Sequence, residues 1–417
     1  MTTGESLLDS TATPPELSRT FKPASLPKAA RQVIRWLERL KVGTLSLHGP
    51  DGSQQVFGTH QAPFAALHIQ RWEVCAAVLK SGDIGFAEGY MAADWNTPSL
   101  PDLLRLFIAN RRELEGAIYG HWLGRLAYRV KHWLNRNNRT NSRKNIHAHY
   151  DLGNAFYEIW LDSTMNYSSA WFDGDKTQPM ADAQKAKVRR ALRMVNAQPG
   201  DRILEIGCGW GALAESATTE FGAHLTGVTL STEQLAFAQT RMKWQGCTDR
   251  SDLRLQDYRD IQDAPFDAIC SIEMIEAVGQ AYWPTYFQTV SRLLKPGGRA
   301  CIQSITIDDS LFERYVNSTD FIQQYIFPGG CLPSPSEFRK QAQAAGLQVV
   351  DELKFGPDYA ETLRRWRDSF MGHLNDVRLL SFDDRFVRLW EFYLAYCEAA
   401  FDEANIDVIQ FTLVKPN

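Results

Sequence analysis

Ile203-Leu204-Glu205-Ile206-Gly207-Cys208-Gly209-Trp210-Gly211 is the stretch on which the fold of this chain turns. Its aliphatic residues predict a short buried strand, and its glycines, at alternate positions, predict a turn into a helix over 212–220. Strand, glycine turn and helix form the first unit of a doubly wound α/β sheet. Glycine admits positive φ and lets a ligand lie directly against the backbone. A dinucleotide fingerprint would read G-x-G-x-x-G and aim a helix N-terminus at a pyrophosphate. Here the spacing is G-x-G-x-G, and Glu205 stands two residues ahead of it. A carboxylate facing the turn repels a pyrophosphate but suits a ligand carrying an amino group and a sulfonium. The stretch therefore points to an S-adenosylmethionine pocket.

Reading outward toward the C-terminus, apolar strands are expected over 202–206, 225–230, 253–256, 266–272 and 299–305. Helices over 181–195, 233–242 and 283–293 alternate with them. Lys295-Pro296-Gly297-Gly298 makes a tight turn into the fifth strand. That order is the one of class I methyltransferases, a Rossmann-like doubly wound sheet. Residues 308–380 read as an inserted, mostly helical lid. A helix over 382–404 and a strand over 407–414 then close the sheet.

Toward the N-terminus the character changes. Residues 1–28, with Pro14, Pro15, Pro23 and Pro27, read as a disordered arm. Residues 29–115 read as a small α+β domain: a helix, a hairpin around Gly49-Pro50-Asp51-Gly52, then strand and helices. Residues 116–150 hold no Asp or Glu and seven Lys or Arg, with Trp122, Leu126, Val130 and Trp133 near one helical face. Such a basic amphipathic linker suits anionic lipid, and equally suits a solvated linker helix packed on the domain below. Residues 151–417 form the methyltransferase domain, with the lid at about 308–380.

Bulk composition excludes more than it selects. At 417 residues the chain can hold two or three cores, and 44% hydrophobic with 23% charged residues is ordinary for a globular protein. A net charge of −4 gives no global attraction to nucleic acid. The seven cysteines are scattered, without C-x-x-C pairs or metal-ligand spacing, so reduced thiols, a cytoplasmic setting and no metal site are expected. No apolar run approaches the roughly 18 residues of a membrane span. Contact with a membrane would therefore be peripheral, from its inner face. A homodimer is a candidate assembly.

Ligands of such sheets sit at the carboxyl ends of the strands. Strand one delivers Glu205 with Gly207, Gly209 and Gly211 for the methionine part. Strand two delivers Thr229, with Gln234 starting the next helix; a hydroxyl and an amide there replace the acid that usually holds the ribose. Strand three delivers Asp257 for the adenine amino group, or as a helix cap, and Tyr258 for the adenine face. Strand four delivers Glu273, expected to neighbour the cofactor, and Glu276, expected to neighbour the substrate.

These segments resemble the cyclopropane-fatty-acyl-phospholipid synthase family, with its mycolic acid cyclopropane synthase relatives. The likeness is carried by His149-Tyr150-Asp151-Leu152-Gly153-Asn154, Met165-Asn166-Tyr167-Ser168, Glu205 to Gly211, and Val228 to Ser231 with Gln234. It continues in Gln256 to Asp260, Tyr325 to Gly330, Tyr359 to Leu363 and Trp390 to Phe401. It implies that Tyr167, Ser168, the glycine loop, Thr229, Gln234, Asp257 and Tyr258 contact S-adenosylmethionine, with Tyr150 as a further candidate. It also implies an acceptor: the double bond of an acyl chain in a membrane phospholipid or a related lipid. An isolated alkene is a weak nucleophile and must be held in line with the methyl in a dry pocket. The resulting carbocation needs an apolar, aromatic wall, and a base must take a proton to close a cyclopropane.

In the family, by this resemblance, that base is a bound bicarbonate held by a Glu, a His, a Tyr and a backbone group beside a Cys. Glu276 and Tyr359 match the Glu and the Tyr. Ser169 stands in place of the Cys, Ala277 in place of a His after the Glu, and Gln303 in place of the bicarbonate-holding His. A glutamine donates a hydrogen bond but neither carries charge nor titrates. The anion site then rests on Glu276, Gln303 and Tyr359, or else the cation loses another proton and yields a methyl- or methylene-branched chain. Cys397 falls in a segment the family shares and has been taken for a nucleophile, yet its apolar helical face suits a core residue. His147 and His149 read as lid or core residues. A nucleic-acid methyltransferase would carry N-P-P-[YF] or Pro-Cys at strand four, where Ile272-Glu273-Met274-Ile275 stands.

Overall fold

The computed structural model describes Phe21 and residues 26–114 and 152–417. The expected disordered arm, the basic linker, Tyr150, His147 and His149 thus lie outside the described residues, apart from Phe21 and the last residues of the arm. The N-terminal unit runs α1 (Lys28–Leu37), β1 (Thr44–His48), β2 (Gln54–Gly58), β3 (Phe64–Ile69), α2 (Glu73–Ser81), α3 (Asp83–Met91), β4 (Trp95–Asn96) and α4 (Leu100–Ala109). Its sheet has the order β2-β1-β3-β4. The β1–β2 hairpin is antiparallel, with Gly52 at φ 77° in its turn, and β3 lies parallel to β1.

The larger unit begins with α5 (Asn154–Trp160) and α6 (Met180–Met194). It continues through β5 (Arg202–Ile206), α7 (Ala212–Thr219), β6 (His224–Thr229), α8 (Thr232–Trp244), β7 (Ser251–Leu255) and β8 (Phe266–Ile272). Then come α9 (Ile275–Val278), α10 (Trp283–Leu293) and the long β9 (Leu294–Ile307). After β9 follow α11 (Asp309–Val316), α12 (Phe321–Tyr325), α13 (Pro335–Ala344) and β10 (Gln348–Lys354). The chain closes with α14 (Gly356–Gly372), α15 (Leu374–Leu379), α16 (Asp384–Asp402) and β11 (Ile406–Val414). Caps fix several starts: Ser231 accepts from Gln234 N, Ser334 from Glu337 N, and Asp383 from Phe386 N.

The seven strands are ordered β10-β11-β9-β8-β5-β6-β7. β9, β8, β5, β6 and β7 are parallel, whereas β11 runs antiparallel to β9 and β10 runs antiparallel to β11 at the edge. This is the class I methyltransferase fold. β5 sits between β6 and β8, so the connections diverge at its carboxyl end and leave a crevice there. One expectation needs correcting. The segment 308–380 is not all helical lid, because β10 pairs with β11 and forms the sheet edge. Its residues are mostly half-buried and polar, so the apolar signal of a central strand is missing. Of this segment, α11, α12, the loop to α13 and the start of α14 line the cavity at the strand ends.

The two units share a core. α16 packs against α3 and α4, and Phe392, 1% exposed, meets Phe86, Tyr90, Trp95 and Phe321 at ring distances of 6.4, 5.8, 6.4 and 4.9 Å. Polar contacts fix the register: Tyr90 Oη donates to Glu391 at 2.6 Å, Arg388 to Trp95 O at 3.0 Å, and Arg105 to Asp402 at 2.8 Å. Replacing a buried phenylalanine with alanine leaves a cavity and costs about 3–5 kcal/mol. Phe392→Ala is therefore expected to lower unfolding stability by that amount in chemical denaturation, and to loosen both units together because they meet on this ring.

Candidate active site

A cavity of ≈ 570 Å³ opens at the carboxyl ends of β5, β6 and β8. Gly207, Gly209 and Gly211 all have positive φ, at 88°, 49° and 84°. They serve different ends. A Cβ on Gly207 would meet Met274 at 2.9 Å, and one on Gly211 would meet Ala238 of α8 at 3.0 Å, so both are required by packing. A Cβ on Gly209 would have no protein atom within 4 Å, so this glycine leaves open space for a ligand. Glu205 is 3% exposed, and its Oε2 has no hydrogen-bond partner among the described residues. A ligand with an amino group would satisfy that oxygen. Burial raises the Glu205 carboxyl to about 8, partly offset by Lys187.

Thr229 Oγ1 donates to Gln234 Oε1 at 3.0 Å, so the expected pair forms one unit at the cavity wall. Asp257 accepts from Arg259 Nε at 2.8 Å and from Arg259 N at 3.0 Å. Its carboxylate thus caps the following turn and pairs with Arg259, while Tyr258 also lines the cavity. Tyr167 and Ser168 face the same space. Gly211, Ser169 and Gln303 do not; they lie behind the wall.

Sequence reasoning missed Lys187. It lies on α6, 0% exposed, donating to Ser168 Oγ, while Gln184 Nε2 donates to Ser168 O at 2.8 Å. Burial lowers the ammonium to about 8, opposed by Glu273, Asp162 and Glu205. The signal was present in the sequence. Ala183, Lys187 and Ala191 recur every four residues, so a lysine sits in the inward stripe of an amphipathic helix.

Glu273, expected beside the cofactor, lines the same cavity as the glycine loop, and its carboxylate also occupies the centre of the anticipated anion site. Oε1 accepts from Ser169 N at 2.9 Å and Gln303 Nε2 at 2.6 Å, and Oε2 accepts from Tyr359 Oη at 2.6 Å. Behind Gln303, Gln410 Nε2 donates to Gln303 Oε1 at 2.9 Å and Arg190 donates to Gln410 Oε1 at 2.8 Å. Arg190 also binds Asp351 at 2.6 Å. A guanidinium only donates, so each amide is oriented in turn and the series must end on an acceptor. Glu273 is that acceptor. Its φ is 49°, a left-handed conformation that costs a non-glycine residue on the order of 1–2 kcal/mol.

Glu276, three residues on, accepts from Ile305 N, and its Oε2 has no partner among the described residues. Burial, then repulsion from Glu273, raises Glu276 to about 8. Burial also raises Glu273, opposed by Lys187, Tyr359, Ser169 and Gln303. Burial and Glu273 thus both favour the protonated form of Glu276, while Glu273 beside it accepts from three donors. Cys397 reaches the cavity, and burial pushes its thiol far up, so it supplies no thiolate. Among the described residues, no cluster of His, Cys, Asp and Glu could hold a metal.

The family model described as mycolic acid cyclopropane synthetase matches residues 137–411. The chain belongs to that family. It is 39% identical over 373 residues to the tuberculostearic acid methyltransferase of Mycobacterium tuberculosis, covering 88% of this chain and 86% of that one. It is 33% identical over 349 residues to the cyclopropane-fatty-acyl-phospholipid synthase of Escherichia coli, covering 83% and 87%. A solved mycolic acid cyclopropane synthase complexed with S-adenosylhomocysteine and CTAB matches with a TM-score of 0.62 and 31% identity, over 66% of this chain and 98% of that one. This member of the family is an S-adenosylmethionine-dependent enzyme of the fatty acyl methyltransferase and cyclopropane synthase group.

Glu205 gives a test of the cofactor end. A carboxyl whose folded value is raised contributes stability below its ordinary 4.5, and that contribution is lost as pH climbs toward about 8. Glu205→Gln removes this dependence. Its melting temperature relative to the parent should therefore rise between about pH 5 and about pH 8. Its affinity for S-adenosylmethionine should fall about tenfold or more by calorimetry, the loss of one hydrogen bond to a charged group.

Proposed function

We propose that this enzyme transfers the methyl of S-adenosylmethionine to the double bond of an unsaturated acyl chain in a membrane phospholipid. One observation carries the reading. The cavity that begins at Gly209 and Glu205 passes Glu273 and Glu276 and continues among Val33, Trp36, Leu67, Val74, Val78 and Phe107 of the N-terminal unit. An apolar passage joined to a cofactor pocket suits a long alkyl chain better than a polar solute.

S-adenosylmethionine supplies an electrophilic methyl. In this reading Glu205, Ser168 and the glycine loop orient the donor, and Lys187 with Gln184 fixes Ser168. The aromatic wall of Tyr393, Phe392, Tyr396 and Phe401 excludes water from the cation that forms on the acyl chain and presents ring faces to it. Tyr167 Oη and Tyr393 Oη are 2.7 Å apart, and Tyr359 stacks on Phe401 at 4.5 Å, so the wall is held rigidly. Ring closure to a cyclopropane is the first fate assigned to that cation. A methyl- or methylene-branched product is the second, favoured by Gln303, which cannot titrate, and by a relative named for methyl transfer.

Peripheral attachment to the inner face of the membrane fits this substrate. Among the described residues, no helix is long and apolar enough to cross a membrane. The basic residues of 116–150 would contribute about 1 kcal/mol each at an anionic surface. Changing Arg136, Arg139, Arg143 and Lys144 to glutamine is expected to reduce sedimentation with anionic liposomes, more steeply at low salt.

Lipid mass spectrometry on cells expressing the enzyme with an unsaturated phospholipid pool is expected to show acyl chains heavier by one CH₂. Hydrogenation then separates a ring from an olefin. Val78→Trp, which fills the passage, should abolish that gain while leaving S-adenosylmethionine binding intact. Methylation confined to soluble acceptors would refute the reading.

A further inference from the structure

We propose that the Glu273 carboxylate is the base that takes the proton from the newly added methyl group, so that turnover needs no exchangeable anion. The inference rests on the acyl-alkylation reading above and deepens it. Ser169 N, Gln303 Nε2 and Tyr359 Oη are the donors that the family resemblance assigns to a bound bicarbonate. Here all three are taken by the two oxygens of one side chain. The series from Arg190 through Gln410 and Gln303 presents a donor, and so calls for an acceptor at this point.

Two further observations support the assignment. Glu273 lines the cavity between the glycine loop and the aromatic wall, where the methyl would arrive. Its φ of 49° is a conformation glycine adopts freely. A glutamate at such a position at the mouth of the cavity has its side chain to justify it.

The step balances for either product. Methyl transfer forms a C–C bond to one alkene carbon, leaves its neighbour cationic, and releases S-adenosylhomocysteine. One C–H bond of the new methyl then breaks, and the proton passes to a Glu273 oxygen. The electron pair closes a bond to the cationic carbon and makes the ring. Alternatively, a hydride first moves from the methyl-bearing carbon to the cation, and the pair becomes the second bond of a methylene. Glu273 ends neutral and returns the proton to water when the product leaves. Burial away from bulk water makes this carboxylate a stronger base than one at the surface.

The test uses the full-length enzyme, vesicles of dioleoylphosphatidylglycerol, and buffer freed of carbon dioxide. The readouts are S-adenosylhomocysteine release and acyl mass. The parent enzyme is expected to turn over equally with and without added bicarbonate. Glu273→Gly, which suits the backbone, should still bind S-adenosylmethionine but lose at least about 100-fold in rate. It should recover activity with bicarbonate, formate or acetate. Glu273→Gln should be as slow as Glu273→Gly without added anion. The proposal is overturned if the parent stops without bicarbonate, if either variant keeps the parental rate, or if the glycine variant binds cofactor yet answers to none of the three anions. A parent enzyme that alkylates no lipid at all would instead overturn the acyl-alkylation reading, and this assignment with it.

Discussion

Burying ionisable groups without water is the constraint that organises this molecule. Glu205, Glu273, Glu276 and Lys187 gather at one rim of the sheet, and each would be costly alone. The solution is mutual. Lys187 offsets two of the carboxylates, donors clasp Glu273, and Glu276 favours its protonated form. A site arranged in this way presents Glu273, an acceptor on both oxygens, to the cavity where a cation is to be relieved of a proton. Polar satisfaction and reactivity are here the same arrangement.

The second constraint is dryness. A carbocation survives only where water is absent, and the cavity is walled by residues of both units. α16 resolves this by serving both: one face packs on α3 and α4, another supplies Tyr393 and Tyr396 to the cavity. The aromatic contacts around Phe392 hold the enclosure shut as well as the fold together.

What the sequence disclosed was what is local. The run from Ile203 to Gly211 carries its own strand, turn and helix signals within nine residues. The hairpin around Gly49-Pro50-Asp51-Gly52 and the alternation of strands with helices followed from similar short-range chemistry. β10 escaped because an edge strand with polar, half-buried residues lacks an apolar alternation. The clasp around Glu273 escaped for a different reason: its partners lie 104, 30 and 86 residues away, on a loop, β9 and α14. Only the folded chain shows which groups surround it. Asp257 lay between these cases, since its partner Arg259 is two residues on and could have been read.

The passage into the N-terminal unit has a consequence for how such an enzyme can diversify. Val33, Trp36, Leu67 and Val74 lie more than a hundred residues before the glycine loop and line the part of the cavity that the N-terminal unit walls. Bulk added or removed there would lengthen or shorten the tail that fits while leaving the electrostatics of alkylation alone. On the acyl-alkylation reading, choice of lipid and competence for reaction are thus written in different parts of the polypeptide, and natural drift in one need not disturb the other.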